Sequence, residues 1–319
     1  MTIFTSRISP AESLGVRKLS SLARREALWG LAFLAPWIIG LLAFILLPMI
    51  ASLVLSMTNY TITHPESIEF IGLQNYQHML FEDPAVGESV SVTIRFLILA
   101  VPIGILMPLF LAALLNSQNL LASRLFRTLF FMPSLVPFVS AIIIWGGVLN
   151  PEYGWVNRFL EGAGIAGPNW LNDVRFIYPA FIIMGMWGIG GPMLIMLASM
   201  QGVPTELYDA AKVDGAGAAR RFLNVTVPMI SPVILYQLTL ALIGTFQYFL
   251  VPFIIKNGTG QPGTHTLFLN LYLFKTAFTF DQMGYASALA WLLFVLAMSA
   301  TIILFWTARR WVYYAGGER

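Results

Sequence analysis

The sequence predicts an all-α membrane protein with six transmembrane helices and both termini in the cytoplasm. Its 319 residues are 58% hydrophobic and only 10% charged, with a mean hydropathy of +0.76, whereas a soluble protein carries about 25% charged residues. Six apolar runs reach the roughly 20 residues that are needed to cross the hydrocarbon core of a bilayer. Backbone groups in lipid need partners within the segment, so each run is expected to be helical. The predicted spans are 27–57, 90–115, 128–149, 176–200, 228–255 and 284–308.

Lysine and arginine are distributed unevenly among the loops, and this sets the predicted orientation. The 59–89 loop has no Lys or Arg and carries only acidic charges, while alternate loops and both tails are basic. By the positive-inside rule the chain divides into a cytoplasmic tail (1–26), a transmembrane domain (27–308) and a second cytoplasmic tail (309–319). The net charge of +3 therefore reflects topology, and the expected surroundings are a lipid bilayer rather than nucleic acid. The basic residues on the predicted cytoplasmic side are Arg7, Arg17, Lys18, Arg24, Arg25, Arg124, Arg127, Lys212, Arg220, Arg221, Arg309, Arg310 and Arg319.

A polar stretch between the fourth and fifth runs has the pattern of a short amphipathic insert. Residues 206–232 read ELYDAAKVDGAGAARRFLNVTVPMISP. Pro204 is expected at a helix start, where Thr205 helps to cap the helix. The carboxylates of Glu206 and Asp209 then lie near the positive end of the helix dipole.

A second short helix is predicted after a glycine stop. Gly215 follows Asp214 and adopts the left-handed conformation cheaply, which is typical of a helix C-terminus. Residues 216–223 then form the second helix, and Pro228 opens the fifth span. The predicted unit is a helix–Gly–helix elbow that lies along the cytoplasmic face of the membrane.

The order of residues in this elbow resembles the EAA loop of ABC-importer permeases. The pattern is an acidic residue with an alanine pair, then Asp-Gly, then a proline-bounded span. The resemblance extends over about residues 27–314 and includes FIGLQNY at 70–76 and GWVN at 154–157, which are similar to elements of carbohydrate-type ABC permeases. The ending RRWVYY at 309–314 resembles the tail of first permease subunits of the maltose/glycerol-phosphate type. The resemblance implies docking of the elbow on an ATP-binding subunit. The residues carried over are Glu206, Asp209, Ala210, Ala211, Asp214, Gly215 and Pro228.

One of these residues departs from the pattern of the family. Asp209 stands where the family usually has Glu, so the charge is kept but the side chain is one methylene shorter. This leaves the matching contact on the partner open, although the family resemblance does not depend on it.

The centres of the six runs contain no ionisable residue. Arg95 is the one charged residue well inside a run, near its outward end, where its long side chain can reach the interface. Ion-coupled carriers usually place an ionisable group in the membrane, so energy is expected to enter from outside it. Helix breakers occur in several runs, and the Gly188–Pro192 cluster is the strongest candidate for a kink that faces a cavity, with close helix packing as the alternative.

Polar and aromatic residues at mid-span depth predict a substrate pathway. These residues are Trp187, Thr245, Gln247 and Tyr248. Amides, hydroxyls and aromatic rings suit a neutral, hydroxyl-rich solute, whereas an anionic solute favours Lys or Arg. The alternative is that Gln237 and Gln247 only form hydrogen bonds across helices.

The resemblance implies a membrane subunit of an ATP-driven importer for a carbohydrate or related polyol, in the inner membrane of a prokaryote. Its implied partners are a second permease subunit of similar fold, two ATP-binding subunits and an extracytoplasmic solute-binding protein. No cofactor or metal is expected in this chain, which has no G-x-x-x-x-G-K-[ST] run; ATP and Mg are expected on the partner ATPase. A self-sufficient secondary carrier or channel is the alternative. A membrane-embedded enzyme is disfavoured because the three histidines are far apart in sequence.

Overall fold

The computed structural model describes residues 21–117 and 120–314, and these residues are almost entirely helical. The predicted tails beyond these limits lie outside the described residues. The β-structure in the described residues is one isolated antiparallel bridge between Thr58 and Phe70. Numbered in chain order, the α-helices of these residues are α1 (Ser21–Leu41), α2 (Leu47–Leu55), α3 (Gln74–Gln77), α4 (Pro84–Leu115), α5 (Ser123–Phe131), α6 (Phe138–Val148), α7 (Trp155–Gly162), α8 (Ile177–Met186), α9 (Gly190–Gln201), α10 (Thr205–Val213), α11 (Ala218–Arg221), α12 (Val227–Phe246), α13 (Leu250–Lys256), α14 (Leu269–Phe274) and α15 (Met283–Ala308).

Four helical stretches in the described residues are long and apolar enough to cross a membrane. They are Arg24–Leu55, Pro84–Leu115, Ser231–Lys256 and Met283–Ala308. Two further bent pairs bring the candidates to six if each pair counts as one span. The prediction of an all-helical protein with several membrane spans is therefore confirmed. By internal contacts the chain separates into two compact units, of which the first ends at Ser52 and the second begins at Leu53.

The second span begins earlier than its apolar run predicts. α4 starts at Pro84 rather than at Val90 because Asp83 caps it, with Oδ1 accepting from the Ala85 N–H at 3.0 Å. An Asp-Pro pair satisfies a free N–H at the helix start and needs no donor from the proline. The helix therefore carries the exposed Arg95 several turns from its N-terminus.

Three of the wide helical turns in the described residues are each followed by a proline at a fixed distance. The π-helical turns Leu42–Leu46, His78–Glu82 and Phe222–Thr226 end in i→i+5 hydrogen bonds donated by Leu47, Asp83 and Val227. The next residue is Pro48, Pro84 or Pro228. Proline lacks an N–H, and its ring clashes with the carbonyl four residues before it in a regular α-helix. Just before the proline, where regular i→i+4 hydrogen bonding cannot continue, the backbone forms an i→i+5 hydrogen bond instead.

The third and fourth runs are broken helices. The stretch Ser123–Leu135 meets α6 at 100°, and α8 meets α9 at 57°. Pro133 and Pro137 lie in and beside the first break, and both belong to the helix breakers that occur in the apolar runs. The kink expected at the Gly188–Pro192 cluster is present.

Gly190 in this cluster also has a packing role. A Cβ on Gly190 would lie 2.3 Å from the carbonyl oxygen of Phe130, so only glycine lets α9 approach the end of α5 this closely. Kink and close packing, which were alternatives in the sequence, are both found.

The fifth run is also interrupted. α12 ends at Phe246 and α13 begins at Leu250, with Gln247, Tyr248 and Phe249 between them. The free carbonyl of Gln247 accepts from the Asn270 side chain at 3.0 Å. A neighbouring side chain thus satisfies a backbone group that the interrupted helix leaves free.

Asp83 joins three elements at the N-terminal end of α4. Its Oδ2 accepts hydrogen bonds from the hydroxyls of Tyr272 in α14 and Tyr285 in α15, both at 2.6 Å. Burial by itself raises the pKa of Asp83, but the hydrogen bonds from the two tyrosines and from Ala85 outweigh it and hold the pKa below its usual value. The ionised carboxylate therefore fastens this end of the bundle.

The same end is closed by contacts between residues 56–63 and the start of α15. Asp281 accepts from the backbone of Ile62 at 2.8 Å, and the Gly284 N–H donates to the Tyr60 carbonyl at 2.9 Å. A Cβ on Gly284 would lie 2.1 Å from the carbonyl oxygen of Thr58. We refer to this region, together with Asp83 and its two tyrosines, as the Asp83 end.

The FIGLQNY motif lies at the Asp83 end. The Asn75 amide donates to the carbonyls of Ser56 at 2.9 Å and Thr58 at 2.8 Å, and the hydroxyls of Tyr76 and Ser56 are 2.7 Å apart. The motif thus satisfies the free carbonyls that follow α2.

Asn157 of the GWVN motif is a second hub of hydrogen bonds. It is buried, and its Oδ1 accepts from the Trp170 indole at 2.7 Å. Its amide donates to the carbonyls of Pro151 and Pro168 at 3.2 and 3.1 Å. Trp170 and Asn157 therefore hold the 150–175 loop together.

Candidate functional site

The elbow, defined here as residues 205–221, consists of α10, a glycine turn and α11. α10 begins after Pro204, as expected, with Glu206 in its first turn. Thr205 is the first helical residue and makes no capping hydrogen bond, so its predicted capping role is wrong. The helix start instead depends on the extended conformation of Pro204.

Gly215 ends α10 in the way that the sequence predicts. Its φ is +74°, in the left-handed region. The Gly215 N–H donates to the Lys212 carbonyl at 3.0 Å, and the Ala216 N–H donates to the Ala211 carbonyl at 2.9 Å. This pair of bonds is a Schellman motif, which satisfies the last carbonyls of a helix. No atom lies within 4 Å of the position of a Cβ on Gly215.

The outer face of α10 is apolar and exposed. Leu207, Ala210 and Val213 recur every three residues on this face, and Val213 is 88% exposed. Asp209 lies beside them and pairs with Lys212 at 2.8 Å, with both side chains largely exposed. Such a pair is worth about 0–1 kcal/mol, so it leaves the Asp209 carboxylate available to a partner. Asp214 follows as the C-terminal cap residue of the helix.

The second arm of the elbow is continuous with the helix of the fifth apolar run. α11 runs through the wide turn Phe222–Thr226 into α12 without a break. Pro228 lies inside this continuous helix and does not open it. The wide turn before Pro228 is the physical reason, because it accommodates a proline that would end a regular α-helix.

One side chain joins α10 to the base of the fifth span. The hydroxyls of Tyr208 and Thr226 are 2.9 Å apart, and Thr226 is 4% exposed. Between α10 and the end of α4 lies a polar cavity of about 530 Å³, lined in part by Asn116, Lys212 and Arg221. The elbow is thus close to the bundle without being tightly packed against it.

The four predicted pathway residues line three cavities, all of which are partly open at the surface and share Tyr248. The cavities measure about 280, 300 and 560 Å³, and Tyr248 lines all three. Trp187 lines the first, Thr245 the second and Gln247 the third. Trp187 lies at the break between α8 and α9, and the other three lie at or beside the break between α12 and α13. The interrupted helices therefore bring these residues together.

The first cavity has an aromatic wall that sequence reasoning missed in part. The rings of Trp145 and Trp187 pack edge to face with their centroids 6.0 Å apart, and both residues line this cavity. The Trp145 indole nitrogen is buried and has no hydrogen-bond partner among the described residues. Trp145 was the residue missed, and the only sequence feature that could have indicated it is a tryptophan within an apolar run. An unpaired donor beside a cavity favours a ligand that carries hydrogen-bond acceptors.

The other predicted polar groups are partly engaged within the protein. The Thr245 hydroxyl donates to the Ala241 carbonyl at 2.7 Å. The ring of Tyr248 packs against the rings of Phe96 and Phe268, with centroid distances of 4.7 and 5.0 Å, so Tyr248 also contributes to the core. Gln237 is buried, and its amide nitrogen has no partner in the described residues, so the structure does not support a cross-helix bond for that group.

No charged residue is among the side chains that line the three cavities in the described part of the chain. The walls consist of aliphatic and aromatic groups with a few hydroxyls and amides. These walls suit a neutral solute, because an ionic solute in such surroundings lacks a counter-charge.

Several apolar helices long enough to cross a membrane, bent helix pairs and uncharged cavities are consistent with a membrane transport subunit. Residues 90–313 match the family model described as binding-protein-dependent transport system inner membrane component, and the chain belongs to that family. It is thus a multi-pass inner-membrane permease subunit rather than a self-sufficient carrier.

Individual relatives are similar over almost their whole length. The chain is 37% identical to the probable ABC transporter permease protein YesP of Bacillus subtilis, covering 94% of this chain and 97% of that protein. It is 35% identical to the lactose transport system permease protein LacF of Rhizobium radiobacter, over 91% and 97% of the two chains.

A solved structure shows the same fold. It is the crystal structure of a bacterial alginate ABC transporter in complex with an alginate pentasaccharide-bound periplasmic protein. The two chains share 21% identity with a TM-score of 0.76, over 92% of this chain and 98% of that one.

Proposed function

We propose that this chain is the pathway subunit of an ATP-driven importer that takes up a carbohydrate or related polyol. In this proposal each bent pair is one span, which gives six spans with both termini in the cytoplasm. The observation that carries the proposal is that one family-matched stretch, residues 90–313, contains both the exposed apolar elbow and the uncharged cavities.

The carbohydrate class is supported by both the relatives and the cavity chemistry. LacF is a permease of a lactose transport system. In this chain the two indoles of Trp145 and Trp187 line a cavity beside Tyr248. Aromatic faces pack on the apolar faces of sugars, and the unpaired indole N–H of Trp145 supplies a donor to a sugar hydroxyl.

The elbow is the proposed docking surface for the ATP-binding subunit. Its support is the exposed row Leu207, Ala210 and Val213, with the carboxylate of Asp209 beside it. Small and aliphatic side chains on a short helix let it seat closely in a groove of a partner. Two ATP-binding subunits carry ATP and Mg, a second permease subunit completes the pathway, and an extracytoplasmic binding protein delivers the solute.

Purification of the tagged chain in mild detergent, followed by mass spectrometry of co-purifying proteins, tests the assembly. The expected result is an ATPase together with a second permease of similar fold. Recovery of the chain alone or only as a homo-oligomer, in a detergent that preserves related complexes, would overturn the proposal.

Two elbow variants separate docking from folding. Val213→Arg places a charge on the exposed apolar face and is expected to reduce ATPase recovery. Gly215→Arg disturbs the left-handed turn and is expected to uncouple ATP hydrolysis from transport while the spans remain folded. The control is Phe159→Arg, which is equally exposed but lies in α7, away from the elbow. Equal ATPase recovery from Val213→Arg and the control would remove the elbow as the docking surface.

Uptake by vesicles that contain the whole complex tests the substrate class. A panel of labelled mono- and disaccharides is compared with labelled amino acids and sugar phosphates. We expect uptake of a neutral sugar only in the presence of the binding protein and internal ATP. Trp187→Ala and Trp145→Phe are expected to lower it, and uptake of an amino acid alone would contradict the proposed class.

A further inference from the structure

α10 has little burial against the rest of the protein. Seven of its nine residues are exposed, and only Tyr208 and Ala211 are partly buried. Ala211 offers one methyl group, whereas the ring of Tyr208 packs against the apolar core that includes Met196, Met200 and Ile230. Most of the contact between α10 and the spans is therefore made by one side chain.

The same side chain makes the one side-chain hydrogen bond that α10 forms outside the elbow, among the described residues. Its partner is the hydroxyl of Thr226, at 2.9 Å. Thr226 is buried and is the last residue of the wide turn Phe222–Thr226. A hydrogen bond to a buried group lies in a low-dielectric environment, where it is stronger than a bond that is exposed to water.

The surroundings of this hydrogen bond favour movement. Behind α10 lies the cavity of about 530 Å³, to which both Tyr208 and Thr226 contribute. Pro228 lies two residues after Thr226. Because proline has no backbone N–H, the helix has one backbone hydrogen bond fewer at this point. A loosely packed helix is thus attached to a weakened turn at the base of a span.

We infer that the Tyr208–Thr226 hydrogen bond is the side-chain link through which displacement of α10 reaches α12 and the cavities at its far end, in addition to the continuous helix that α11 forms with α12. The inference rests on the proposed function, because it takes the elbow as the place where the ATP-binding subunit acts. Tyr208 and Thr226 are positioning residues and touch neither the solute nor the nucleotide. Movement of α10 shifts Thr226, then α12, and so the break at Gln247–Phe249 that lines the cavities.

The chain contains no cysteine, so a single introduced cysteine reports access to the cavity. Ser134→Cys is placed in the wall of the first cavity, and its modification by N-ethylmaleimide is measured on the purified whole complex with and without a non-hydrolysable ATP analogue and Mg. We expect the analogue to change the modification rate in the otherwise unaltered chain.

The link is then removed from either side. Tyr208→Phe and Thr226→Val each delete one hydroxyl, and both are expected to reduce the nucleotide effect on Ser134→Cys by about two- to tenfold, the factor by which one neutral hydrogen bond shifts an equilibrium. The double variant is expected to be no worse than either single variant, because both remove the same bond. Thr226→Ser keeps the hydroxyl and should restore the effect. Tyr236→Phe, on an exposed tyrosine of α12, is the matched control.

ATPase co-purification and basal ATP hydrolysis are measured for each variant, and both are expected to stay unchanged in Thr226→Val, because Thr226 lies outside the elbow. An undiminished nucleotide effect in Tyr208→Phe and Thr226→Val overturns the inference and leaves the proposed function standing. If one variant fails to fold, the other decides. If no ATPase is recovered with the unaltered chain, or if the nucleotide has no effect on it, both the proposed function and the inference are overturned.

Discussion

The Asp83 end and the elbow differ in how they are held, although both follow from short polar motifs. The Asp83 end is fastened by a carboxylate that three donors share and by backbone approaches that exclude a Cβ at Gly284. In the elbow, α11 continues into α12, but α10 contacts the bundle mainly through Tyr208, and its ion pair and glycine turn are exposed. A polar motif between apolar helices can therefore form either a densely hydrogen-bonded junction or an exposed, sparsely packed surface. Burial of its partners distinguishes the two.

The largest expected effect is at the rigid end. Gly284→Ala places a methyl group against the Thr58 carbonyl, which the backbone must move to accommodate, and we expect loss of folded protein on size-exclusion chromatography in detergent. Gly87→Ala is the control, since Gly87 lies in α4 with no atom near the position of a Cβ; alanine there should be neutral or stabilising by up to about 1 kcal/mol. Normal folding of Gly284→Ala would contradict the close approach.

A smaller effect is expected from removal of the charge at the same junction. Asp83→Asn leaves weaker acceptors for Tyr272 and Tyr285, and we expect a loss of about 1–3 kcal/mol because hydrogen bonds to charged groups contribute about that amount. Thermal unfolding in detergent measures it. Glu82→Gln removes an adjacent exposed carboxylate and should change the melting temperature little. Equal melting temperatures for the two variants would show that the charge of Asp83 does not stabilise the junction.

The same carboxylate predicts a pH dependence. The pKa of Asp83 is lower in the folded protein than in the unfolded chain, so its stabilisation is present above about pH 4 and is lost as pH falls through the folded pKa. We therefore expect the difference in stability between the natural chain and Asp83→Asn to shrink in acid. A difference that grows on acidification would reverse the assigned direction of the pKa shift.

The smallest effects on stability are expected in the elbow. Gly215→Ala places a Cβ on a residue with a φ of +74°, although no atom lies near that position. We expect it to lower the free energy of unfolding by about 1–2 kcal/mol. Gly215→Asn should lower it less, because asparagine tolerates this conformation. Lys212→Gln, which removes the exposed pair with Asp209, should change stability by at most about 1 kcal/mol. Thermal unfolding ranks the three. A cost at Gly215 as large as at Gly284 would erase the contrast between the two ends.

Much of the fold followed from the sequence because apolar run length and glycine chemistry are local properties. The run near 284–308 became α15 almost as predicted, and Gly215 stops α10 with the left-handed backbone that its position indicated. The start of α4 was missed, although Asp83-Pro84 is a local signal, because hydropathy alone was used to set the boundary. Pro228 was misplaced as a boundary because a wide turn can carry proline inside a continuous helix.

The cavity walls were harder to predict because they depend on which helices meet. Trp187, Thr245, Gln247 and Tyr248 were chosen for chemistry and depth, and the two helix breaks bring them to neighbouring cavities. Trp145 was missed because an indole in an apolar run resembles any core tryptophan. The hydrogen bond between Tyr208 and Thr226 was not predicted, because no helical periodicity in the sequence indicates that these two residues are in contact.

The wide turn at Phe222–Thr226 also changes how the fifth span is interpreted. An ordinary helix advances about 100° per residue, and a turn with i→i+5 bonding takes in one additional residue. A helical wheel drawn continuously from Ala218 to Phe246 therefore assigns the wrong residues to the inward face beyond Pro228, by about one position. Mutagenesis or labelling scans along this helix need two separate wheels, one on each side of the turn.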